Sequence, residues 1–361
     1  MAEDRERAGG PAPMDGRLYN DNAGQQAKGG AHGLPLIARA VEALPLDGSV
    51  TIADYGSATG RNSLVPVGTA LAALRRRIGP LAPVRVVHTD QPDNDFAALF
   101  RLLRDDPESY LKGDPQVFAA AVGRSFYEPL LPEASVDLGW CSFAIHWLSG
   151  APPLPGGQPA GHVWPHLTAP AVRALFAAQA EADWRTFLRH RARELKPGGA
   201  LIVVQPGLRA GDLTTFPVLM PWVQAELEAM EADGVLTAAE RARMTFLVHE
   251  RTAADARAPF ADGPFAGLEL VEQQEREMPD PFFEAYVADR DAARLARQEI
   301  GFFRAPFLPS LLAALDATRG IDDREAFTTR LIERLEDRIR AAPQPLIAPV
   351  TIITGLYRKL G

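Results

Sequence analysis

Along the first 206 residues, apolar positions switch repeatedly between a period near two and a period near 3.6. SVTIAD (49–54), PVRVVHTD (83–90), QVFAAAV (116–122), SVDLGWCSF (135–143) and GALIVVQP (199–206) read as strands. LPLIARAVEAL (34–44), SLVPVGTALAALRRRIG (63–79) and NDFAALFRLLRDD (94–106) read as helices, the last with Asn94 as its N-cap. A long helix fits 170–195, ended by the stop signal KPGG at 196–199. Strands and helices alternating at this spacing predict an α/β fold: a parallel sheet covered by helices on both faces. Beyond 206 the pattern changes. Residues 208–262 and 280–342 read as mostly helical, with one strand-like segment, LELVEQQERE (268–277), between them. PLIAPVTIITGLYRKL (345–360) reads as a strand, or a strand with a bulge, that returns to the sheet. The expected organisation is a mobile N-terminal arm at 1–16, a core at 17–206, a mostly helical cap with insertions at 207–344, and a returning strand at 345–361.

Composition narrows the class of molecule. Of 361 residues, 47% are hydrophobic and 23% charged, which suits a soluble globular chain with a sizeable core. The net charge of −8 and the lack of a polybasic run argue against a nucleic-acid partner. The single cysteine, Cys141, excludes an intrachain disulfide framework and fits a reducing compartment. There is no run of 18 apolar residues, and the start MAEDRERAGGPAPMDG lacks a signal-peptide core. The expectation is a cytoplasmic protein with no membrane partner. His162 and His166 have helical ligand spacing, but Pro165 argues against a helix there, so no metal is expected. The charged segments ERARMTFLVHER (240–251) and RLIERLEDRIR (330–340) read as solvated helix faces, the second also as a possible dimer contact.

Candidate chemistry concentrates in the first turn after a strand. IADYGSATGRN (52–62) places Gly56 and Gly60 just past an acidic strand end. Ligands of open α/β sheets sit beyond the carboxyl ends of the strands, and glycines let backbone approach them. Ala58 breaks the dinucleotide fingerprint G-x-G-x-x-G, and the phosphate-binding G-x-x-x-x-G-K-[ST] is absent. That speaks against a nicotinamide oxidoreductase. A D-x-G-x-x-x-G turn suits a cofactor without phosphates, S-adenosylmethionine. The alternative is the Gly-rich turn of some other α/β protein. Asp90, at the end of the second strand, could accept both ribose hydroxyls of an adenosine, or could cap the next helix.

Five segments in order resemble the SABATH family of S-adenosylmethionine-dependent methyltransferases. They are YNDNAGQQ (19–26), IADYGSATGRNSL (52–64), HTDQPDNDFAALF (88–100), GRSFYEPLLPEASVD (123–137) and CSFAIHWLS (141–149). KPGGALIV (196–203) also fits. The family contains carboxyl methyltransferases of salicylate, benzoate and indole-acetate, and N-methyltransferases of the caffeine pathway. The resemblance implies a Rossmann-like class I methyltransferase sheet with an α-helical cap. It implies that Tyr19 and Asn22 close over the methionine end of the cofactor, with Gly56 and Ser57 beneath it and Asn62 in contact. Asp90 would hold the ribose and Gln91 would lie beside the adenine. Ser125 and Phe126 would bracket that ring, and Ser142 and Phe143 would complete the cofactor side.

The resemblance further implies that Gln26 and Trp147 hold the acceptor carboxylate. Such a group is ionised at neutral pH and needs no base, and its charge disappears as methyl arrives. Neutral N–H donors orient it without over-stabilising the ground-state anion, as Arg or Lys would. His146 is placed at the acceptor pocket, and would be the nearest base for an N–H or hydroxyl acceptor. Large apolar residues of the later helices, Phe216, Leu219, Met220, Trp222, Val223, Phe302, Phe303 and Phe307, are cap candidates. Among them Trp222, Phe302 and Phe303 are picked for the substrate pocket with Phe143, while Trp164 and Trp184 read as core. Ala23, Ser57-Ala58-Thr59, Arg61 and Phe143 depart from the family pattern. Phe143 lacks the tyrosine hydroxyl that many members of the family use on cofactor and substrate. The expected reaction is methyl ester formation on a small, largely apolar carboxylic acid, by a homodimer. The alternatives are N- or O-methylation of a small heteroaromatic or hydroxyl acceptor, and a cofactor-binding protein without turnover.

Overall fold

The computed structural model describes residues 24–46 and 48–361. Tyr19, Asn22, Ala23 and the expected arm at 1–16 lie outside the described residues. A short helix α1 (Gly24–Gly30) leads through one 3-10 turn into α2 (Leu34–Ala43). The alternating part then runs β1 (Val50–Tyr55), α3 (Leu64–Ile78), β2 (Val84–Asp90), α4 (Phe96–Asp105), β3 (Val117–Gly123) and β4 (Val136–Ser142). Next come α5 (Pro170–Glu194) and β5 (Leu195–Leu208). The remainder is α6 (Leu219–Ala232), α7 (Ala238–Arg243), β6 (Arg251–Thr252), α8 (Ala253–Arg257), β7 (Leu268–Met278), α9 (Pro281–Asp289), α10 (Ala292–Arg304), α11 (Leu308–Ala313), α12 (Ile321–Ala341) and β8 (Val350–Lys359).

The strands form one eight-stranded sheet in the order β3-β2-β1-β4-β5-β8-β7, with β6 joined to β5. β1 to β5 pair in parallel, while β8 runs antiparallel between β5 and β7. This is the Rossmann-like mixed sheet that the resemblance implies. The strand order reverses between β1 and β4, so their carboxyl ends open a crevice there. Alternate residues feed the two faces, as period-two side-chain geometry requires. Val50, Ile52, Trp140, Ile202 and Val204 pack under α2, α3 and α4. Ala53, Tyr55, Cys141, Leu201 and Val203 pack under Trp184, Phe187 and Leu188 of α5.

Local chemistry corrects some sequence readings. Asp95, not Asn94, caps α4, its carboxylate accepting from Ala98 N at 2.8 Å. The long helix ends at Glu194, before KPGG: Leu195 is already extended, and residues 196–199 form a bulge inside β5 between Leu195 and Ala200. Lys196 Nζ crosses this bulge to the buried Asp137 carboxylate at 2.8 Å. Of residues 240–251, only the first four are helical. The rest is non-helical, runs into β6 at Arg251, and buries Met244, Phe246 and Val248 in the core. Residues 330–340 lie on α12, where Leu331, Leu335 and Ile339 are buried while Arg334 and Arg338 pair with Glu226 of α6 at 2.7 and 3.0 Å. Residues 165–167 form a 3-10 turn, so His162 and His166 do not share a helical face. Among the described residues no group of His, Cys, Asp or Glu is placed to hold a metal ion, and no helix is long and apolar enough to cross a membrane.

Helices α6, α10, α11 and α12 share a second apolar cluster with Trp147, Val163, Trp164 and Phe246. This cluster meets the sheet at the carboxyl ends of β4 and β5. That junction encloses the site described next.

Candidate active site

Two neighbouring regions of the crevice carry the site, a backbone cradle after β1 and an apolar cavity beyond β4. In the cradle the chain turns sharply, and Gly56 and Gly60 have φ of +82° and +87°. A Cβ on Gly56 would collide with the Ala144 methyl, and one on Gly60 with Leu99. Both positions therefore need glycine twice over, for conformation and for space. Gly56 N and Ser57 N both donate to Thr89 O, at 2.9 and 3.0 Å. Asp90 tightens the turn further. One carboxylate oxygen accepts from Ala58 N at 2.7 Å and the other from its neighbour Gln91 N at 2.8 Å. Burial pushes the Asp90 carboxyl up to about 6, against the pull of those two N–H groups. A carboxylate has about four acceptor positions, so about two stay open. Asn94 Nδ2 donates to Ala58 O at 2.8 Å and holds the turn from outside.

Asp54, the acid at the strand end, serves structure. It accepts from Ser63 Oγ and meets His88 Nδ1 at 2.8 Å, and His88 Nε2 lies 2.7 Å from Tyr110 Oη. Arg61 pairs with Asp106 and so ties the turn to the end of α4. Ser57 Oγ is buried and meets no partner among the described residues. Asn62 stands in the 3-10 turn Arg61–Ser63 that opens α3. Ser125 and Phe126 sit on a turn after β3, where Ser125 Oγ accepts from Tyr127 N at 3.3 Å. Arg191, fully buried on α5, donates to Phe126 O and Glu128 O at 3.0 Å each and pairs with Glu194 at 2.7 Å. Phe126 contacts Phe187 edge-to-face at 5.7 Å. A cradle of this kind fits S-adenosylmethionine. It offers an orphaned hydroxyl at Ser57, open acceptor positions on Asp90 and an aromatic face at Phe126, while Arg61 of the turn is engaged by Asp106.

The cavity, of about 80 Å³, brings Gln26, Phe143, His146, Trp147 and Phe302 together. Gln26 comes from α1, Phe143 to Trp147 from the end of β4, and Phe302 from α10. Phe143 adopts φ +53°, and its ring packs against Gly29 where no side chain would fit. Ser142 Oγ lies beneath Gly30 of the same helix. Four polar atoms of residues lining the cavity are buried without a hydrogen-bond partner among the described residues: Gln26 Oε1, His146 Nδ1, Trp147 Nε1 and Asp280 Oδ2. The loop that carries His146 and Trp147 is fixed from behind. Tyr127 Oη donates to Trp147 O at 2.6 Å, His249 N to His146 O at 2.9 Å, and Arg251 to Ile145 O at 2.8 Å. Burial first, then the nearby Arg251 charge, pushes the His146 imidazole down to about 3.

Two substrate-pocket candidates stand elsewhere. Phe303 is turned into the helical core, against Phe246. Trp222 lies on the far side of α6 beneath the Arg338 guanidinium at 4.9 Å. Helical periodicity shows which residues are apolar, but not which of two apolar faces meets the cavity. Phe216, Phe307 and Trp164 line it instead, Trp164 with its indole N–H bonded to Thr214 Oγ1 at 2.8 Å. Trp184 is core and donates to Ala256 O. Glu250, Asp280 and Thr215 also line the cavity and had no motif to mark them. For Glu250 a signal existed: the period-two apolar run at Met244, Phe246 and Val248 marks a buried extended segment leading to it. Burial pushes its carboxyl up to about 7, although Thr214 Oγ1 donates to it at 2.9 Å and Thr215 adds its hydroxyl.

Comparison with known proteins agrees with this architecture. A family profile described as SAM dependent carboxyl methyltransferase matches residues 14–258. An O-methyltransferase, acrG, of Aspergillus aculeatus is 30% identical over 295 residues, which is 78% of this chain and 76% of that protein. Indole-3-acetate O-methyltransferase 1 of Oryza sativa subsp. japonica is 35% identical over 185 residues, 45% of this chain and 46% of that one. A solved structure of loganic acid methyltransferase with S-adenosylhomocysteine superposes with a TM-score of 0.76 at 19% identity, covering 98% of this chain and 99% of that one. The profile match over more than half of its length, together with the acrG alignment, places this chain in the SABATH family of S-adenosylmethionine-dependent methyltransferases.

Proposed function

We propose that the protein methylates the carboxylate of a small, largely apolar acid, giving a methyl ester. The carrying observation is the chemistry of the cavity wall. It offers an anion neutral donors, the unpartnered indole N–H of Trp147 and the side-chain amide of Gln26, and among the described residues no lysine or arginine lines it. S-adenosylmethionine, when bound, supplies an electrophilic methyl group. Trp147 and Gln26 orient the acceptor oxygen, and the surrounding Phe143, Phe302 and Phe307 exclude water. Because the acceptor anion loses its charge as the bond forms, neutral donors penalise that loss less than a cation would. His146 fits the same reading. With a conjugate acid near 3 it is neutral at working pH and a weak base, which suits an acceptor that has no proton to lose.

The direct test is a panel of carboxylic acids with isotopically labelled cofactor, scored for base-labile product. Label that resists mild base on every accepted substrate rejects the ester. One observation favours a second reading: Glu250, held near 7, is matched to proton abstraction from a hydroxyl or ring N–H. Base-stable product that disappears in Glu250→Gln would support it.

On the cofactor side, Asp90 would receive the ribose hydroxyls at its open acceptor positions, with Gln91 beside the adenine and Ser125 and Phe126 bracketing it. Ser57 and Asn62 would meet the methionine part. A pH dependence follows with a definite sign. The Asp90 pKa is raised in the folded protein, so protonation favours folding; that contribution is complete below about pH 4 and fades as pH rises through 6. Cofactor binding runs the other way, because only the ionised carboxylate accepts both hydroxyls. Affinity for S-adenosylhomocysteine by calorimetry is expected to be flat above pH 7 and to fall up to about tenfold per pH unit below 6. In Asp90→Asn the affinity is expected to be weaker and without this fall; an unchanged pH profile would remove Asp90 from the ribose.

A further inference from the structure

An acceptor cavity for an anion would be expected to avoid acidic side chains, yet this one is lined by two, Glu250 and Asp280. Glu250 is clamped by its own neighbours: Thr214 Oγ1, Thr215 Oγ1 and Thr215 N all donate to it. Asp280 is different. It caps α9, and its Oδ1 accepts from Phe282 N at 2.9 Å and Phe283 N at 3.3 Å. Its Oδ2 is buried and receives no donor from a described residue. Behind it stands Glu299 of α10, 0% exposed, with neither carboxylate oxygen meeting a donor. Burial and then the Asp280 charge push Glu299 well above the usual carboxylate range; burial raises Asp280 as well, but the two N–H groups and a hydrogen bond from a protonated Glu299 favour its ionised form, so the pair shares one proton, held on the Glu299 side. Two N–H groups at a helix start stabilise that charge. The Glu299 O–H can fill one lone pair of Asp280 Oδ2, and a further one remains on a side chain that lines the cavity. Among the described residues no Lys or Arg lines the cavity to fill it.

A spare acceptor position on a charged carboxylate beside an apolar cavity is matched by a ligand that brings a donor to it. We propose that the acceptor acid carries a hydrogen-bond donor, a hydroxyl or an ammonium, in addition to the carboxylate that is methylated, and that Asp280, backed by Glu299, receives it. The proposal rests on the ester reading above and adds the substrate class: hydroxy or amino acids with an otherwise apolar body. It makes Asp280 a specificity-determining residue and Glu299 a positioning residue.

The test uses ω-hydroxy and ω-amino alkanoic acids of about six to twelve carbons, each paired with the methyl-terminated acid of equal length. Binding is measured calorimetrically to the full chain saturated with S-adenosylhomocysteine, and turnover is measured separately with labelled cofactor. One donor-bearing series is expected to exceed its methyl-terminated partners by about tenfold or more in affinity and kcat/KM, carried by KM. Asp280→Asn keeps the helix cap but turns an N–H₂ group toward Glu299 and the cavity. It is expected to bring that preference to about one while the affinity for S-adenosylhomocysteine stays unchanged. Glu299→Gln is expected to weaken the preference without abolishing it. Methyl-terminated acids that bind and turn over as well as both donor-bearing series, or a preference that survives in Asp280→Asn, overturn the proposal and leave the ester reading standing. If no acid is methylated while S-adenosylhomocysteine binds, the ester reading fails and this proposal falls with it.

Discussion

Replacing Trp147 with Phe is expected to lower kcat/KM for the acceptor about 100-fold while leaving affinity for S-adenosylhomocysteine unchanged. The substitution keeps the ring that packs against Phe307 at 6.1 Å and removes only the indole N–H. That N–H is buried, meets no partner among the described residues, and faces a cavity walled largely by apolar side chains. Loss of one positioned donor at a reacting oxygen typically costs 10²–10³ in rate, and misplacement by about 1 Å has a similar effect. The backbone of the loop is held independently, by Tyr127, His249 and Arg251, so the position of residue 147 should survive. Gln26→Ala should behave likewise, since it removes a buried amide from the same cavity. Steady-state kinetics on any accepted acid, paired with calorimetry of the by-product, separates the two effects. Wild-type turnover in both variants would show that neither side chain orients the acceptor.

Arg191→Met is expected to destabilise the protein by about 3–5 kcal/mol, the usual cost of breaking a buried ion pair by removing one partner. Arg191 and Glu194 are 0% and 2% exposed. Without the guanidinium, Glu194 keeps Tyr55 Oη at 3.0 Å and Leu130 N at 2.8 Å but is left as a buried charge. The carbonyls of Phe126 and Glu128 lose their donors at the same time. The turn bearing Ser125 and Phe126 should therefore loosen, and cofactor affinity should fall together with the urea midpoint. An unchanged midpoint would show that the pair contributes nothing. An unchanged affinity in a destabilised variant would separate the turn from the cofactor.

The alternating part of the chain was legible because its cause is local. β1, β4 and most of β2 and β5 alternate side chains between two buried faces, while β3 at the sheet edge leaves alternate positions exposed, and the helices between them pack an apolar side against the sheet. Turn glycines at 56 and 60 stood at positions where any other residue would clash. The later helices were harder to read. Phe302 and Phe303 are adjacent and equally apolar, yet one lines the cavity and the other is core, a choice made by how α10 rotates against Phe246 and Phe307. The segment after Arg243 looked helical by charge but is extended, because Met244, Phe246 and Val248 bury against α10, α11 and Trp164.

The order of strands and helices, the glycine turn after β1, and the five motif segments were determined by the sequence alone, because short-range periodicity and residue identity carry them. Tertiary structure decided the rest. It drew Gln26, Trp147, Glu250 and Asp280, scattered over more than half of the chain, onto one cavity wall. It also assigned Arg191 and Arg251 to hold backbone carbonyls, and turned Asp90 into both a turn clamp and an open acceptor. Such roles depend on burial and on partners far away in sequence, and burial is a property of the assembled fold.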